Sequence, residues 1–195
     1  MSGARNQGDD RYAFSTRYIV NHPVERAEWR VTMSAYVLPR LSLGIEYNPL
    51  ASDVNPLANW LAVEETRTRP ALILGTSSDR IGTENGQSFY ATVSKNVEEW
   101  IGLPIAPYVG VAYGTFADDV RPIAGGNIRF TDQLSALVIY DGRNTHPTLS
   151  WTTGRHVFTA MAVQLDDDEF RLGLAYSASF AIDAGLFGFG DDPHD

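Results

Sequence analysis

Cysteine is absent from this chain of 195 residues, which excludes disulfide bonds, thiolate metal sites and a cysteine nucleophile. Lysine occurs only once, at Lys95, and the formal net charge is −9. Binding to nucleic acid or to anionic lipid head groups needs clustered Lys and Arg, so the composition disfavours both. No apolar run approaches the ~18 residues of a transmembrane helix, so we expect none.

What the chain has instead is an alternation of large apolar residues with small ones. In FRLGLAYSASF (170–180), every second residue is bulky, and the residues between are mostly glycine, alanine and serine. Strands that bury one face have this period of two. Ten or eleven such runs lie between residues 12 and 180, separated by turn dipeptides such as Asn85-Gly86 and Asp141-Gly142.

Because a flat sheet of this width would leave two long exposed edges, the pattern predicts an all-β fold, an antiparallel up-and-down β-barrel of about ten strands. A two-sheet sandwich is the alternative. We expect one domain: an N-terminal tail (1–10), the barrel (11–180) and a Gly/Phe/Asp-rich C-terminal tail (181–195). Short helices are expected only within the segments 48–67 and 97–103.

The face opposite the bulky residues carries few charges, and most acidic residues fall in the turns. A barrel with a water-exposed outer wall needs many more charged residues there. The distribution therefore predicts bulky side chains outside and small side chains inside, the pattern of membrane barrels.

With this pattern the sequence resembles bacterial outer-membrane β-barrel proteins. The resemblance rests on LSLGIEY (41–47), PYVGVAYGTF (107–116) and FRLGLAYSASF (170–180), a last strand that ends in Phe. As given, the start MSGARNQGDD lacks the features of a secretory signal peptide, and Phe180 is followed by fifteen further residues.

The resemblance implies a non-enzymatic barrel of the bacterial cell envelope, structural or a narrow pore, with the outer membrane as the favoured location. The expected partners are a lipid bilayer or the protein subunits of a membrane complex. Two alternatives stay open: an accessory subunit of a larger membrane-associated complex, for example respiratory or photosynthetic, and a soluble barrel that binds a small apolar ligand.

No catalytic, metal or cofactor site is predicted. His146 and His156 share the small-residue face but lie too far apart along their strands for a dyad, and Asp166, Asp167 and Asp168 indicate a solvated turn. The residues expected to face the lumen, the inside of the barrel, are Arg30, Glu46, Arg129, His146, His156 and Arg171. The residues expected to face lipid or a partner are Leu43, Val109, Val111, Tyr113, Leu172, Leu174, Tyr176, Phe180, Phe187 and Phe189.

Overall fold

The fold is a closed antiparallel β-barrel, as the alternation predicts, with twelve strands instead of about ten. The structure, a computed structural model, describes residues 10–166 and 169–181. The strands are Tyr12–Ile19 (β1), Trp29–Leu38 (β2), Leu41–Asn48 (β3), Asp53–Val63 (β4), Ala71–Ser78 (β5), Gln87–Ser94 (β6), Ile105–Gly114 (β7), Asp119–Arg129 (β8), Leu134–Tyr140 (β9), Thr145–Thr153 (β10), His156–Gln164 (β11) and Phe170–Phe180 (β12).

Each strand pairs with its neighbours in sequence, and β1 pairs with β12 to close the sheet. That closing seam runs in unbroken register from Tyr12 opposite Phe180 to Ile19 opposite Gly173. Two single-turn helices, Glu25–Glu28 (α1) and Glu98–Ile101 (α2), lie in connections, the second inside a segment where a short helix is expected. Among the described residues, no helix is long and apolar enough to cross a membrane.

The strand missing from the sequence interpretation is β4, which lies in the segment where we expected a short helix. Its residues Leu57, Leu61 and Ala62 favour helix, and Pro56 has no N–H to give to a strand ladder. Pairing overrides these preferences, because β4 hydrogen-bonds to β3 on one side and to β5 on the other.

The two faces of the wall differ sharply in charge. Every Asp, Glu, Lys and Arg within the twelve strands occupies an inward-facing position. The outward positions carry large apolar side chains, of which Leu43 is 44% exposed, Val111 51% and Leu174 53%. The observed barrel is therefore bulky outside, and its inner face holds all the charged strand residues, many small residues and a few large apolar side chains.

The two ends of the barrel also differ. At one end, here called the plugged end, segments 20–28 and 79–86 fold over the lumen. The second crosses the mouth from β5 and β6, because Ile81 packs against Ile19, Met161 and Val163 on the opposite side of the barrel. The chain enters and leaves at the other end, here called the terminal end, where the inward-facing residues are mostly small and only partly buried.

Inward-facing glycines let adjacent strands and lumen side chains approach closely. A Cβ added to Gly110 on β7 would clash with the main-chain carbonyl of Ala91 and with the Cα of Thr92 on β6. Main-chain atoms of a closed sheet cannot move aside without breaking ladder hydrogen bonds. A Cβ on Gly126 of the neighbouring strand β8 would meet no atom closer than 3.6 Å.

We predict that Gly110→Ala lowers the free energy of unfolding by about 1–3 kcal/mol, as overpacking does. Gly126→Ala is the matched control and should leave stability unchanged or raise it slightly, because the substitution restricts the unfolded chain. Denaturant unfolding of both variants measures the difference. Equal stability of the two variants would contradict the close approach of β6 and β7.

Candidate functional site

The first cluster of charge in the lumen lies on β1, β2 and β3. Strand register places Arg17 directly opposite Arg30, and the Arg30 Nε lies 2.9 Å from an oxygen of Glu46. Glu46 is 0% exposed. Like charges directly opposite each other on neighbouring strands repel, and the Glu46 carboxylate forms an ion pair with Arg30 but not with Arg17.

Arg17 is poorly satisfied within this cluster. Its Nη2 donates one long hydrogen bond, 3.4 Å, to the main-chain carbonyl of Ala27. Its Nε is buried and has no hydrogen-bond partner in the described part of the chain. A buried donor without a partner costs free energy, so the Nε of Arg17 is a destabilising feature of the lumen.

The plug is held by a buried arginine, Arg26, which is 3% exposed. Arg26 of α1 donates from Nε to the Thr83 carbonyl at 2.8 Å and from Nη2 to the Arg80 carbonyl at 3.1 Å, and it also donates to the Thr83 hydroxyl. Its own carbonyl accepts a hydrogen bond from Asn48 Nδ2 at 2.9 Å. Arg26 thus joins the two plug segments to each other and to β3.

Asp79 fastens the plug to the barrel wall. Its carboxylate forms a buried ion pair with Arg121 of β8 and accepts main-chain N–H groups from Arg80 at 2.7 Å and Phe116 at 3.2 Å. Arg121 also pairs with the half-exposed Asp119 at 3.2 Å. The buried carboxylate therefore has charge-assisted partners on three sides, the arrangement that makes a buried ion pair stable.

Two further carboxylates close the rim of the plugged end. Asp166 accepts hydrogen bonds from Asn144 at 2.8 Å and from Arg80 at 3.2 Å, and Arg143 lies 3.0 Å away. Asp141 lies 3.2 Å from His146 Nε2. Burial alone would raise the pKa of Asp141, but its hydrogen bonds with His146 and with two main-chain N–H groups hold that pKa below its ordinary value.

A cavity of about 250 Å³ lies in the lumen between the plug and the wall. Its walls include the arginines Arg17, Arg30, Arg80 and Arg121, together with Asp79, Asp141, His146 and the hydroxyl-bearing residues Ser77, Ser88, Tyr90 and Tyr108. These polar walls suit a charged or polar ligand, and the apolar side chains Ile81, Ile123, Ile139 and Met161 also line the cavity.

The outer wall also has shallow depressions. Two shallow apolar furrows of about 530 and 550 Å³ lie side by side across β9 to β12 and share Leu149 and Ala160. Near the terminal end, the His156 ring stacks on the Tyr176 ring. A hydrogen bond of 2.8 Å joins His156 Nδ1 to the Tyr176 hydroxyl. Phe158 packs between Tyr176 and Trp151, so this part of the wall is an aromatic cluster.

Of the residues expected in the lumen, Arg30, Glu46 and His146 lie there. Arg129 and Arg171 occupy inward-facing positions at the two mouths, where they pair with Glu98 at 3.5 Å and Glu169 at 2.6 Å instead of Glu46.

His156 corrects the sequence interpretation, because it lies on the outer wall. The alternation of β11 was assigned to the wrong faces: its largest aliphatic residues, Met161 and Val163, are buried inside.

Of the residues expected to face outward, six are between 37% and 62% exposed: Leu43, Val109, Val111, Tyr113, Leu172 and Leu174. Tyr176 and Phe180 are partly exposed. Phe187 and Phe189 lie outside the described residues, as do Asp167 and Asp168. Within residues 10–166 and 169–181, no group of three or more acidic or histidine side chains could hold a metal ion.

Among the charged residues of the lumen that sequence reasoning missed are Arg17, Arg26, Asp79 and Arg121. Arg17 and Arg121 lie on the small-residue faces of predicted strands, so the argument that selected Arg30 would also have found them. Arg26 and Asp79 lie in connections without periodicity, and no pattern in the sequence marks them.

Because Asp79 is the buried partner of Arg121, we predict that Asp79→Asn lowers the free energy of unfolding by about 3–5 kcal/mol. Asp119→Asn removes the half-exposed partner of the same arginine and should cost no more than about 1 kcal/mol. Denaturant unfolding of both variants and the wild type measures the two losses of unfolding free energy. Similar losses in both would mean that Asp79 does not fasten the plug.

The low pKa of Asp141 predicts a dependence of stability on pH. As pH falls, the unfolded state takes up a proton near the ordinary value of 3.8, before the folded state does. The stabilisation that Asp141 provides is thus complete well above that value and is lost as pH falls below it. The difference in unfolding free energy between wild type and Asp141→Asn should therefore shrink between about pH 6 and about pH 3. A constant difference would be evidence against this assignment.

Comparison with known proteins adds no family: no protein-family model matches the chain, and no curated protein sequence does either.

Proposed function

We propose that this protein is a non-enzymatic β-barrel of the bacterial cell envelope, embedded in a membrane, with its lumen closed at one end by the plug. The observation that carries the proposal is the complete separation of charge across the wall: every Asp, Glu, Lys and Arg of the strands lies on the inward face, and the outward face is mainly apolar. A barrel in water can carry charged residues on its outer face, whereas charged residues that face hydrocarbon destabilise a barrel.

The size of the wall supports the same proposal. The strands contain 7 to 11 residues. Nine residues with a rise of about 3.4 Å each and a tilt of about 40° span about 23 Å along the barrel axis. Outer-membrane barrels carry an apolar band of about 25 Å. The outer membrane, whose barrel proteins share this alternation of residues, is therefore the location we propose.

Outward aromatic residues lie near the ends of strands, and aliphatic residues lie between them. Near the plugged end these aromatics are Tyr18, Trp29, Tyr47, Phe89, Tyr113 and Phe170; near the terminal end they are Trp60, Phe130, Trp151 and Phe158. Aromatic side chains favour the interface between hydrocarbon and water, and membrane barrels carry two such girdles.

The plug limits what the lumen can conduct. Arg26, Asp79 and Thr83 are each at most 4% exposed, and they join the plug segments into one hydrogen-bonded unit. Within our proposal, the barrel is a structural wall at rest, and any pore through it is narrow and opens only if the plug moves.

Two exposed valines test the environment of the wall. Val109 lies mid-strand on β7 and is 62% exposed; Val120 lies at the plugged end of β8 and is 68% exposed. In a bilayer, Val109→Arg should cost about 2–4 kcal/mol of folding free energy, and Val120→Arg only about 0–1 kcal/mol, because the penalty depends on depth. Reversible folding of the full chain into phospholipid vesicles measures both.

The control is the same pair of variants in detergent-free aqueous buffer. If the wild type folds there as a monomer and both arginine variants are equally tolerated, the wall faces water and the proposal is wrong. If the wild type folds only with vesicles but the two substitutions cost the same, the wall lacks the depth dependence that a bilayer imposes.

The furrows of the outer wall favour a second candidate, an accessory subunit of a larger membrane-associated complex. Small residues at Ala136, Ala160 and Ala162 shape them, and small residues allow close packing of another chain within a membrane. Ala160→Leu would fill both furrows, and Ala124→Leu on β8 is the control. Loss of a stoichiometric membrane partner with the first variant only would support this candidate. Purification of the folded wild type from membranes without any stoichiometric partner would exclude it.

A further inference from the structure

We propose that the lumen is an anion-binding site, in which Arg17 and Arg30 hold a small oxyanion in the cavity beneath the plug. The proposal does not depend on whether the outer wall faces lipid or protein, because every residue that carries it lies inside the barrel.

The charges around the cavity leave a positive excess at Arg17. Asp79 is neutralised by Arg121, and Asp141 is hydrogen-bonded to His146. Glu46 has its ion pair with Arg30.

Arg17, directly opposite Arg30, has no ion pair with any carboxylate of the described residues. A partly buried guanidinium whose Nε is shielded from water, with a second guanidinium beside it, is costly unless an anion balances the charge.

The free groups of Arg17 point to an oxyanion in particular. Its Nε is buried without a partner, and Nη2 makes only the long bond to Ala27. The Nε–H and one Nη–H form an edge of the planar guanidinium that matches two oxygens of a carboxylate or a phosphate. A halide offers a single centre and cannot use both donors equally well.

The cavity provides the space that such a ligand needs. It has a volume of about 250 Å³ and reaches both Arg17 and Arg30. Ser77, Ser88 and Tyr90 line the same cavity. The plug above it, fastened by Arg26 and Asp79, would slow the exchange of a bound anion with the solution on that side.

Titration of the folded full chain with inorganic phosphate, at constant ionic strength maintained with sodium chloride, tests the proposal. We expect saturable binding of one phosphate per barrel and a higher thermal unfolding midpoint in phosphate than in chloride. Arg17→Gln should weaken phosphate binding at least about tenfold, the value of one charge-assisted hydrogen bond pair. Arg40→Gln is the matched control, because Arg40 is half-exposed at the terminal end and pairs with Glu64.

Arg17→Lys is the second variant, which keeps the charge but loses the two-donor edge. It should bind phosphate more weakly than wild type and more tightly than Arg17→Gln. The proposal is overturned if wild type shows no saturable phosphate binding, or if Arg17→Gln and Arg40→Gln bind phosphate as tightly as wild type. Circular dichroism of each variant confirms that the barrel has formed before binding is measured.

Discussion

Closure of the sheet between β1 and β12 is the constraint on which the rest of the structure depends. An open sheet would present two rows of unpaired main-chain N–H and C=O groups, and the membrane that we propose around the wall would offer them no partner. The seam satisfies both rows at once, with eight consecutive residue pairs. Once the sheet is a cylinder, successive side chains point alternately into the lumen and out of the wall. The inward positions carry the charged residues, and the outward positions carry the large apolar ones.

The inside of the cylinder is organised by arginine more than by apolar packing. The buried apolar clusters are small, one around Ile73 and one around Met161. Between them, guanidinium groups reach across the lumen to carboxylates and main-chain carbonyls. Arginine suits this task because its planar group offers five donors in fixed directions, so one side chain can join several elements. The small residues of the inner face provide the room that these long side chains occupy.

The sequence was sufficient to predict the fold class and the face that most strands turn outward, because both follow from a period of two. It failed where that period is masked. In β4 both faces carry apolar residues, and Pro56 argues against a strand, so only pairing with β3 and β5 defines it. In β11, buried Met161 and Val163 resemble outward residues, which placed His156 on the wrong side.

The plug could not be predicted at all. Segments 20–28 and 79–86 have no periodicity, and they acquire their positions only from contacts such as Arg26 with Thr83, between residues far apart in sequence. Arg17 is the opposite case. The alternation places it on the inner face, but only the positions of the side chains show that Glu46 pairs with Arg30 and not with Arg17.

The seam also has a consequence for the order of assembly. Eleven of the twelve strand pairings join neighbours in sequence and form across short connections, whereas the last joins the two extremes of the chain. Contacts of that kind form late, because the intervening chain must already be ordered before its ends can meet. Until the seam forms, the open sheet has two exposed edge strands and an exposed apolar face. This intermediate is therefore the form of the protein most prone to aggregation and most dependent on a chaperone.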